Sequence, residues 1–174
     1  MFFSCSDIIE NTIFTREIVK KYIIQSNIFD MSKIELITDC IIKGEANFDE
    51  NLLLSIEEKR NLGLNTRLKI SKGLVDFFEF DKLKGLNPKD EVNKLCLRLF
   101  HYFSLIRKIK KFKEMNIKKI EFFCVDDERT CEFCKSNNGK KFDINDDLAD
   151  FVDDHCTCYK NMRVGGEFVF NYEL

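Results

Sequence analysis

The sequence has little of what membrane and secreted proteins need. It contains no apolar run that approaches the roughly eighteen uncharged residues of a membrane span. Its N-terminal segment, MFFSCSDIIE, has neither the basic start nor the long apolar centre of a secretory signal. One proline and no tryptophan stand beside abundant phenylalanine, isoleucine, lysine and asparagine, which is typical of an A+T-rich coding sequence and says nothing about function. We therefore expect a cytoplasmic protein without membrane association.

The sequence also lacks the local motifs of the common enzyme classes. It has no nucleophile elbow, no phosphate-binding loop and no dinucleotide-binding glycine pattern. A net charge of −2 does not indicate wholesale binding of phosphate groups. The sequence therefore predicts a non-catalytic protein, with no small-molecule substrate that can be identified.

Cysteine, in contrast, is well represented, and soft metal ligands concentrate near the C-terminal end. The five ligands of this segment are Cys131, Cys134, His155, Cys156 and Cys158. Two thiolates at C-x2-C spacing can bend round one ion while the intervening backbone amides point at the sulfurs, so this spacing is typical of closed tetrahedral zinc sites. The pattern predicts one structural Zn²⁺ ion.

Five candidates compete for four positions around that ion. His155 with Cys158 gives H-x2-C, which mirrors the first pair, whereas Cys156 with Cys158 gives an all-thiolate site with His155 outside it. Adjacent residues rarely point their side chains at one ion, so His155 and Cys156 exclude each other. We favour His155 and leave the all-thiolate set open.

Two other roles for the cysteines compete with metal binding. Cys5, Cys40, Cys96 and Cys124 lie in apolar surroundings and are expected to be small buried residues. A thioredoxin-like redox pair at C-x2-C would need a strand running straight into a helix that begins at the first cysteine. The acidic residues 126–128 would raise, not lower, the pKa of such a thiol. A disulfide framework is disfavoured in a chain without a secretory signal that is long enough to build an ordinary core.

Apolar residues recur at helical spacing through the first half of the chain. This periodicity predicts helices over 6–25, 31–43, 51–62 and 66–80. Asp30 or Ser32 is suited to cap the second helix, and Gly44 to end it. Asn47 and Asp49 are expected to open the third.

The strongest start signal lies at Asn87, which is followed by Pro88 at the first helical position and by Asp90 and Glu91 in the first turn. A long helix from Pro88 to about Lys113 is predicted. Its end is basic, with the cations Arg107, Lys108, Lys110, Lys111 and Lys113. Cations there complement the helix dipole and solvate an exposed face, and contact with nucleic acid is the second interpretation.

The C-terminal segment combines short strands with an acidic stretch. Strands are predicted at 118–125, 141–144 and 167–172, with a turn at 137–139 and a short helix at 145–151. The first two strands would form a hairpin under the ion. The aspartates between 143 and 154 are interpreted as a solvated face rather than as a second metal or nuclease site, and the ligand order of an EF-hand is absent.

Together these elements predict a mainly helical α+β protein. A helical body with a long central helix would precede a small zinc-knuckle β-hairpin module. The predicted domains are a helical region at 1–85, whose role the pattern does not indicate, and the long helix with the zinc module at 86–174.

The order of long helix, basic end, strand, DERTCEFCKSNNGKKF and HCTC resembles the C-terminal domain of phage head morphogenesis proteins of the Mu F type. Those proteins carry D-x-R-T-C-x-x-C-x-x-x-x-G-K-x-F followed by H-P-x-C-R-C. The first half is matched here by Asp127, Arg129, Thr130, Cys131, Cys134, Gly139, Lys140 and Phe142. In the second half no proline separates His155 from Cys156, Thr157 replaces the arginine, and Asp153 stands where an alignment on the cysteines places the family histidine. The similarity covers residues 93–162.

The resemblance implies a non-catalytic minor head protein that binds portal or capsid proteins, or DNA, and that would be found in the virion if the gene is phage-derived. Two alternatives remain. The first is a nuclease of the HNH or treble-clef kind, suggested by Asp154-His155 after C-x2-C. Only 16 residues follow Cys158, too few for the usual helix with further ligands. The second is a nucleic-acid-binding regulator that uses the basic end of the long helix.

Overall fold

The computed structural model describes residues 13–44, 52–124, 128, 130–158 and 169–171. It shows a mainly helical α+β protein with a small antiparallel hairpin and a C-terminal cluster of cysteines, as the sequence predicts. The chain divides into two compact units, Met1–Leu99 and Phe100–Leu174. The division falls within the long helix, whereas the predicted boundary after residue 85 precedes it.

The first unit begins with two helices, α1 at Ile13–Ser26 and α2 at Ile34–Lys43. A short 3-10 turn precedes α2, and the Asp30 side chain accepts a hydrogen bond from the Ser32 backbone N–H there, as predicted. Helix α2 ends where Gly44 adopts a left-handed conformation (φ 66°), which also confirms the prediction. The predicted start of the first helix at Ser6 lies outside the described residues.

Two predicted helices of this unit are wrong in extent. Helix α3 covers only Ile56–Asn61, because Ser55 forms a capping box with Glu58 and thereby fixes the start of the helix. The single helix predicted over 66–80 is replaced by the short helix α4 at Lys72–Val75. Asn47 and Asp49, the predicted start of the third helix, lie outside the described residues.

Long-range pairing explains why residues 66–80 do not continue as one helix. The Leu54 backbone N–H donates to the Ile70 carbonyl at 2.9 Å, and Phe29 forms an antiparallel bridge with Phe78. The Phe29 and Phe78 rings stack with centroids 4.7 Å apart in the core. These long-range contacts favour extended backbone at Ile70 and at Phe78. They therefore outweigh the helical periodicity of the residues between those two positions.

Helix α5 covers Pro88–Glu114, so the predicted long helix is confirmed at both ends. The Asn87 side chain accepts a hydrogen bond from the Lys89 backbone N–H, as expected of a cap. Leu95, Leu99 and Tyr102 are buried, as their spacing of three and four residues predicts. No helix in the described part of the chain is both long and apolar enough to cross a membrane.

A three-stranded antiparallel sheet forms in the second unit, in the order β2, β1, β3. Strand β1 is Lys119–Phe123, β2 is Lys141–Asp143 and β3 is Val169–Asn171, within or close to the predicted ranges. The connection from β1 to β2 carries helix α6 at Glu132–Asn137, which the sequence analysis did not predict. Helix α7 follows at Leu148–His155, later than the predicted 145–151.

One polar contact fixes α7 against the second half of α5. The buried Tyr102 side chain donates its hydroxyl hydrogen to Asp150 Oδ1 at 2.8 Å. Burial and this carboxylate both raise the pKa of Tyr102, so the hydroxyl stays a donor at neutral pH.

Tyr102→Phe is expected to destabilise α7 by about 1 kcal/mol, because a hydrogen bond to a partly solvated carboxylate is lost while the ring remains. Hydrogen exchange of the α7 amides measures this loss locally. Asp150→Ala and the double variant complete a cycle in which the two effects should not add. Strictly additive effects would contradict a direct Tyr102–Asp150 contact.

Candidate metal centre

Four cysteine sulfurs meet where the N-terminal end of α6 lies near the C-terminal end of α7. The Sγ atoms of Cys131, Cys134, Cys156 and Cys158 all lie within 4.8 Å of one another. The Cys134 sulfur lies 3.5 Å from that of Cys156 and 3.6 Å from that of Cys158. A tetrahedron with metal–sulfur bonds of about 2.3 Å has sulfurs about 3.8 Å apart, so the cluster has the size of a site for one ion.

Helix α6 positions the first two sulfurs. Cys131 is its N-terminal flanking residue with extended backbone (φ −71°, ψ 159°), and Cys134 lies in its first turn, where it is buried. This three-residue step brings both side chains to one side of the start of the helix. A six-residue helix therefore replaces the simple knuckle loop that the sequence analysis expected.

Helix α7 positions the other two sulfurs. Leu148, Val152 and Cys156 follow one another at four-residue intervals, and all three are buried. Cys156 ends the helix and donates its backbone N–H to the Val152 carbonyl at 2.8 Å. Cys158 follows two residues later in a 3-10 conformation, after the extended backbone of Cys156. The apolar face that packs α7 thus leads directly to the cluster.

His155 is the one predicted ligand that the structure does not bring to the cluster, and the preference for His155 over Cys156 is corrected on this point. Its Nδ1–H donates to the Phe151 carbonyl at 2.8 Å, and its ring stacks on Phe133 with centroids 5.5 Å apart. His155 continues the exposed face of α7 that contains Phe151, whereas Cys156 continues the buried face. The thiol therefore turns inward and the imidazole outward.

Backbone N–H groups point at the sulfurs, which favours thiolates. Cys131 donates its N–H to the Cys158 sulfur at 3.3 Å, and Thr157 donates to the Cys131 sulfur at 3.5 Å. Burial raises the pKa of Cys131, but hydrogen bonds from the backbone of Thr157 and Cys134 and from neighbouring thiols outweigh it, and the pKa falls to about 6. Burial instead raises the pKa of Cys158 to about 11.

The two buried sulfurs share one proton unequally. The hydrogen bond between Cys134 and Cys156 raises the pKa of the Cys134 thiol and lowers that of Cys156. Two adjacent thiolates repel each other, so full deprotonation of all four sulfurs requires a nearby cation. The donor set is therefore suited to a soft divalent ion.

One expectation about the redox alternative is wrong, namely that the acidic residues 126–128 would raise the pKa of the first thiol. Cys131 does stand at the start of a helix, and its pKa is lowered although acidic residues precede it. The strand does not run straight into that helix, because β1 ends at Phe123. The Cys134 sulfur also lies within 3.6 Å of the sulfurs of Cys156 and Cys158, two residues that a self-contained C-x2-C redox pair does not need.

The remaining cysteines differ from one another. Cys96 is buried, as expected, whereas Cys40 and Cys124 are only half-buried. The Cys124 thiol donates to the Cys134 carbonyl at 3.3 Å, which places it beside the cluster but not in it. Cys5 lies outside the described residues.

The acidic stretch does not assemble a further metal site among the described residues. There the four thiols are the one group of three or more potential ligands that come together. Asp146 pairs with Lys113, Asp143 lies 3.7 Å from Lys119, and Asp150 accepts from Tyr102. Most of these carboxylates are exposed and engaged in ordinary surface contacts.

The basic end of α5 is exposed. Arg107, Lys108, Lys110, Lys111 and Lys113 all reach solvent. Lys113 pairs with Asp146, and the other four have no carboxylate within 4 Å among the described residues. These four cations are therefore exposed to solvent without a described carboxylate beside them.

We expect His155→Ala and Cys156→Ser to separate the two assignments of the fourth position. His155→Ala should keep one bound metal per chain, because its imidazole lies outside the cluster. Cys156→Ser should lose most of the metal, because a buried hydroxyl is a poor soft ligand. Metal content of the purified variants measures this, and the reverse pattern would restore the histidine assignment.

Comparison with protein-family models, with curated proteins and with solved structures finds no match to this chain.

Proposed function

We propose that the four cysteines hold one structural zinc ion, and that the chain is a non-catalytic interaction protein of the kind that the Mu F resemblance implies. The observation that carries the proposal is the mutual distance of the four sulfurs, all within 4.8 Å. Four protein ligands fill a tetrahedral site and leave no position for a water molecule or a substrate. Such an ion stabilises structure and does not perform chemistry.

Zinc fits this donor set better than the hard cations do. Magnesium and calcium prefer oxygen ligands, whereas four thiolates suit zinc or a single iron ion. Zinc with four thiolates carries a formal charge of −2, and the N–H groups of Cys131 and Thr157 directed at the sulfurs offset part of it. We therefore assign zinc and treat iron as the competing occupant.

The role of the ion is to join segments that have little core of their own. Helix α6 has six residues and strand β2 has three, too few for independent stability. A metal bound by both cysteine pairs links α6 to the end of α7. The surface elements around it are then fixed for contact with a partner.

A protein partner suits this arrangement, and portal or capsid proteins follow if the gene is phage-derived. DNA is the second candidate partner, favoured by the exposed cations Arg107, Lys108, Lys110 and Lys111 on α5, which form no ion pair with a described carboxylate. The nuclease alternative loses support because the imidazole of His155 is held by Phe151 and Phe133. We place the protein in the cytoplasm or in a virion.

Purified protein should contain about one zinc per chain, as a closed four-thiolate site requires. Elemental analysis of protein prepared without chelator measures the stoichiometry, and replacement by Co²⁺ should give the intense charge-transfer and visible bands of tetrahedral thiolate coordination. Cys40→Ser is the matched control and should keep the metal. One iron per chain would overturn the zinc assignment, and no metal would overturn the proposal.

Removal of the metal is expected to unfold the second unit locally. Structural zinc contributes on the order of 10–16 kcal/mol to the folding of small zinc modules, whereas α1–α4 have a core of their own. Chelation, or Cys131→Ser, should collapse the amide dispersion of residues 118–158 in NMR spectra while the helical circular dichroism largely persists. Loss of all structure would instead show a single cooperative unit.

A further inference from the structure

Aromatic rings form a continuous cluster beside the four cysteines. Phe122, Phe133, Phe142, Phe151 and His155, which we call the aromatic cluster, are linked by ring contacts with centroids 4.8–6.1 Å apart. Two of the five rings stand next to the cysteines of the site in sequence, since Phe133 lies between Cys131 and Cys134 and His155 precedes Cys156. The rings are thus held by both halves of the cysteine site.

Most of the aromatic cluster reaches the surface. Phe122 is fully buried, Phe133 and Phe142 are half-buried, Phe151 is 38 % exposed, and His155 is exposed. The Phe133 and His155 rings lie within 25° of parallel. Phe151 packs with its centroid 4.8 Å from that of His155, 5.5 Å from that of Phe133 and 6.0 Å from that of Phe142, so a partly exposed ring has three aromatic neighbours.

Carboxylates border this face. On helix α7, Asp147 precedes Phe151 by four residues and Asp154 follows it by three, so both lie beside the Phe151 ring on the helix surface. Both aspartates are exposed. The ring face is itself negative because of its quadrupole. The surface therefore combines aromatic and acidic character, which repels phosphate groups and favours cations.

Among the described residues, no hydrogen bond or ion pair occupies the carboxylate of Asp147. It flanks the N-terminus of α7, yet its side chain accepts no hydrogen bond from the first turn of the helix. Asp150, in contrast, accepts from Tyr102, and Asp146 pairs with Lys113. A carboxylate beside an exposed ring is thus left for a ligand.

We propose that Phe151, His155 and Asp147 form a docking surface for an arginine side chain from a basic, extended segment of a protein partner. The planar guanidinium stacks on an aromatic face and donates hydrogen bonds to a carboxylate at its edge. A lysine ammonium would gain the charge interaction without the stacking. This inference rests on the proposed interaction role and names the partner's chemistry, but it does not depend on the metal being zinc, because no ring is a ligand.

The test is a titration of the full-length, metal-loaded protein, labelled with ¹⁵N, with a flexible Gly-Ser peptide that carries four arginines. The amides of Phe151, His155 and Asp147 should shift most. Arginine should bind about two- to fivefold more tightly than the same peptide with four lysines, and a peptide with four glutamates should not bind.

Two variants test whether the ring of Phe151 and the carboxylate of Asp147 bind the arginine peptide. Phe151→Leu keeps an apolar side chain in the cluster but removes the ring face, and should weaken arginine-peptide binding about fivefold. Asp147→Asn, at an exposed position, should weaken it about two- to threefold. Phe80→Leu and Asp81→Asn are the matched controls, since they are an exposed Phe and Asp in the first unit, and should leave binding unchanged.

Three results would overturn the inference. Equal effects of the site and control variants would show non-specific charge attraction, and Phe151-dependent binding of oligo-dT in preference to the peptide would show a nucleic-acid surface. Concentration-dependent self-association that Phe151→Leu abolishes would show a contact between copies.

Two controls keep the test decisive. Metal content is measured on every sample, so failure of the metal proposal is seen separately from failure of the docking proposal. If Phe151→Leu does not fold, an unchanged affinity of Asp147→Asn for the arginine peptide overturns the inference by itself.

Discussion

The close approach of four sulfurs, which all lie within 4.8 Å of one another, is the constraint on which the described part of the second unit depends. Each sulfur repels the others once it is deprotonated, so their proximity is stable only with N–H donors, shared protons or a cation between them. Strand β1, helix α6, strand β2 and helix α7 are short, and each has one role in meeting this constraint. The hairpin closes the loop that carries Cys131 and Cys134, and α7 carries Cys156 on its buried face.

The apolar residues that pack α7 and the cysteine at its end therefore belong to the same buried face. Leu148 and Val152 bury one face of α7, and the same spacing leads to Cys156. The opposite face carries Phe151 and His155, which close over Phe133 between the first two cysteines. The rings and the sulfurs are positioned by the same two helices, so the exposed aromatic surface depends on the same packing as the cysteine cluster.

Sequence patterns predicted the elements whose signals are local. Helix α5 follows from Asn87, Pro88 and the apolar spacing after them, and α2 ends at Gly44 because a glycine is suited to its left-handed conformation. The prediction of one helix over 66–80 was wrong because the pairing of Leu54 with Ile70 depends on residues far apart in sequence. The preference for His155 over Cys156 had a different origin, since it followed the H-x2-C spacing and did not use the helical register of α7. Counting four-residue steps from Leu148 would have placed Cys156 on the buried side.

The brevity of α6 has a consequence for the order in which the chain folds. A six-residue helix is far shorter than the about 12–15 residues at which isolated helices become marginally stable in water. The sulfurs it offers meet partners that lie 22 to 27 residues away along the chain, so loop closure must precede their contact. A peptide containing only the first cysteine pair therefore cannot reproduce this geometry, and the centre is complete only after α7 has docked. The four sulfurs accordingly come together late in the folding of the second unit.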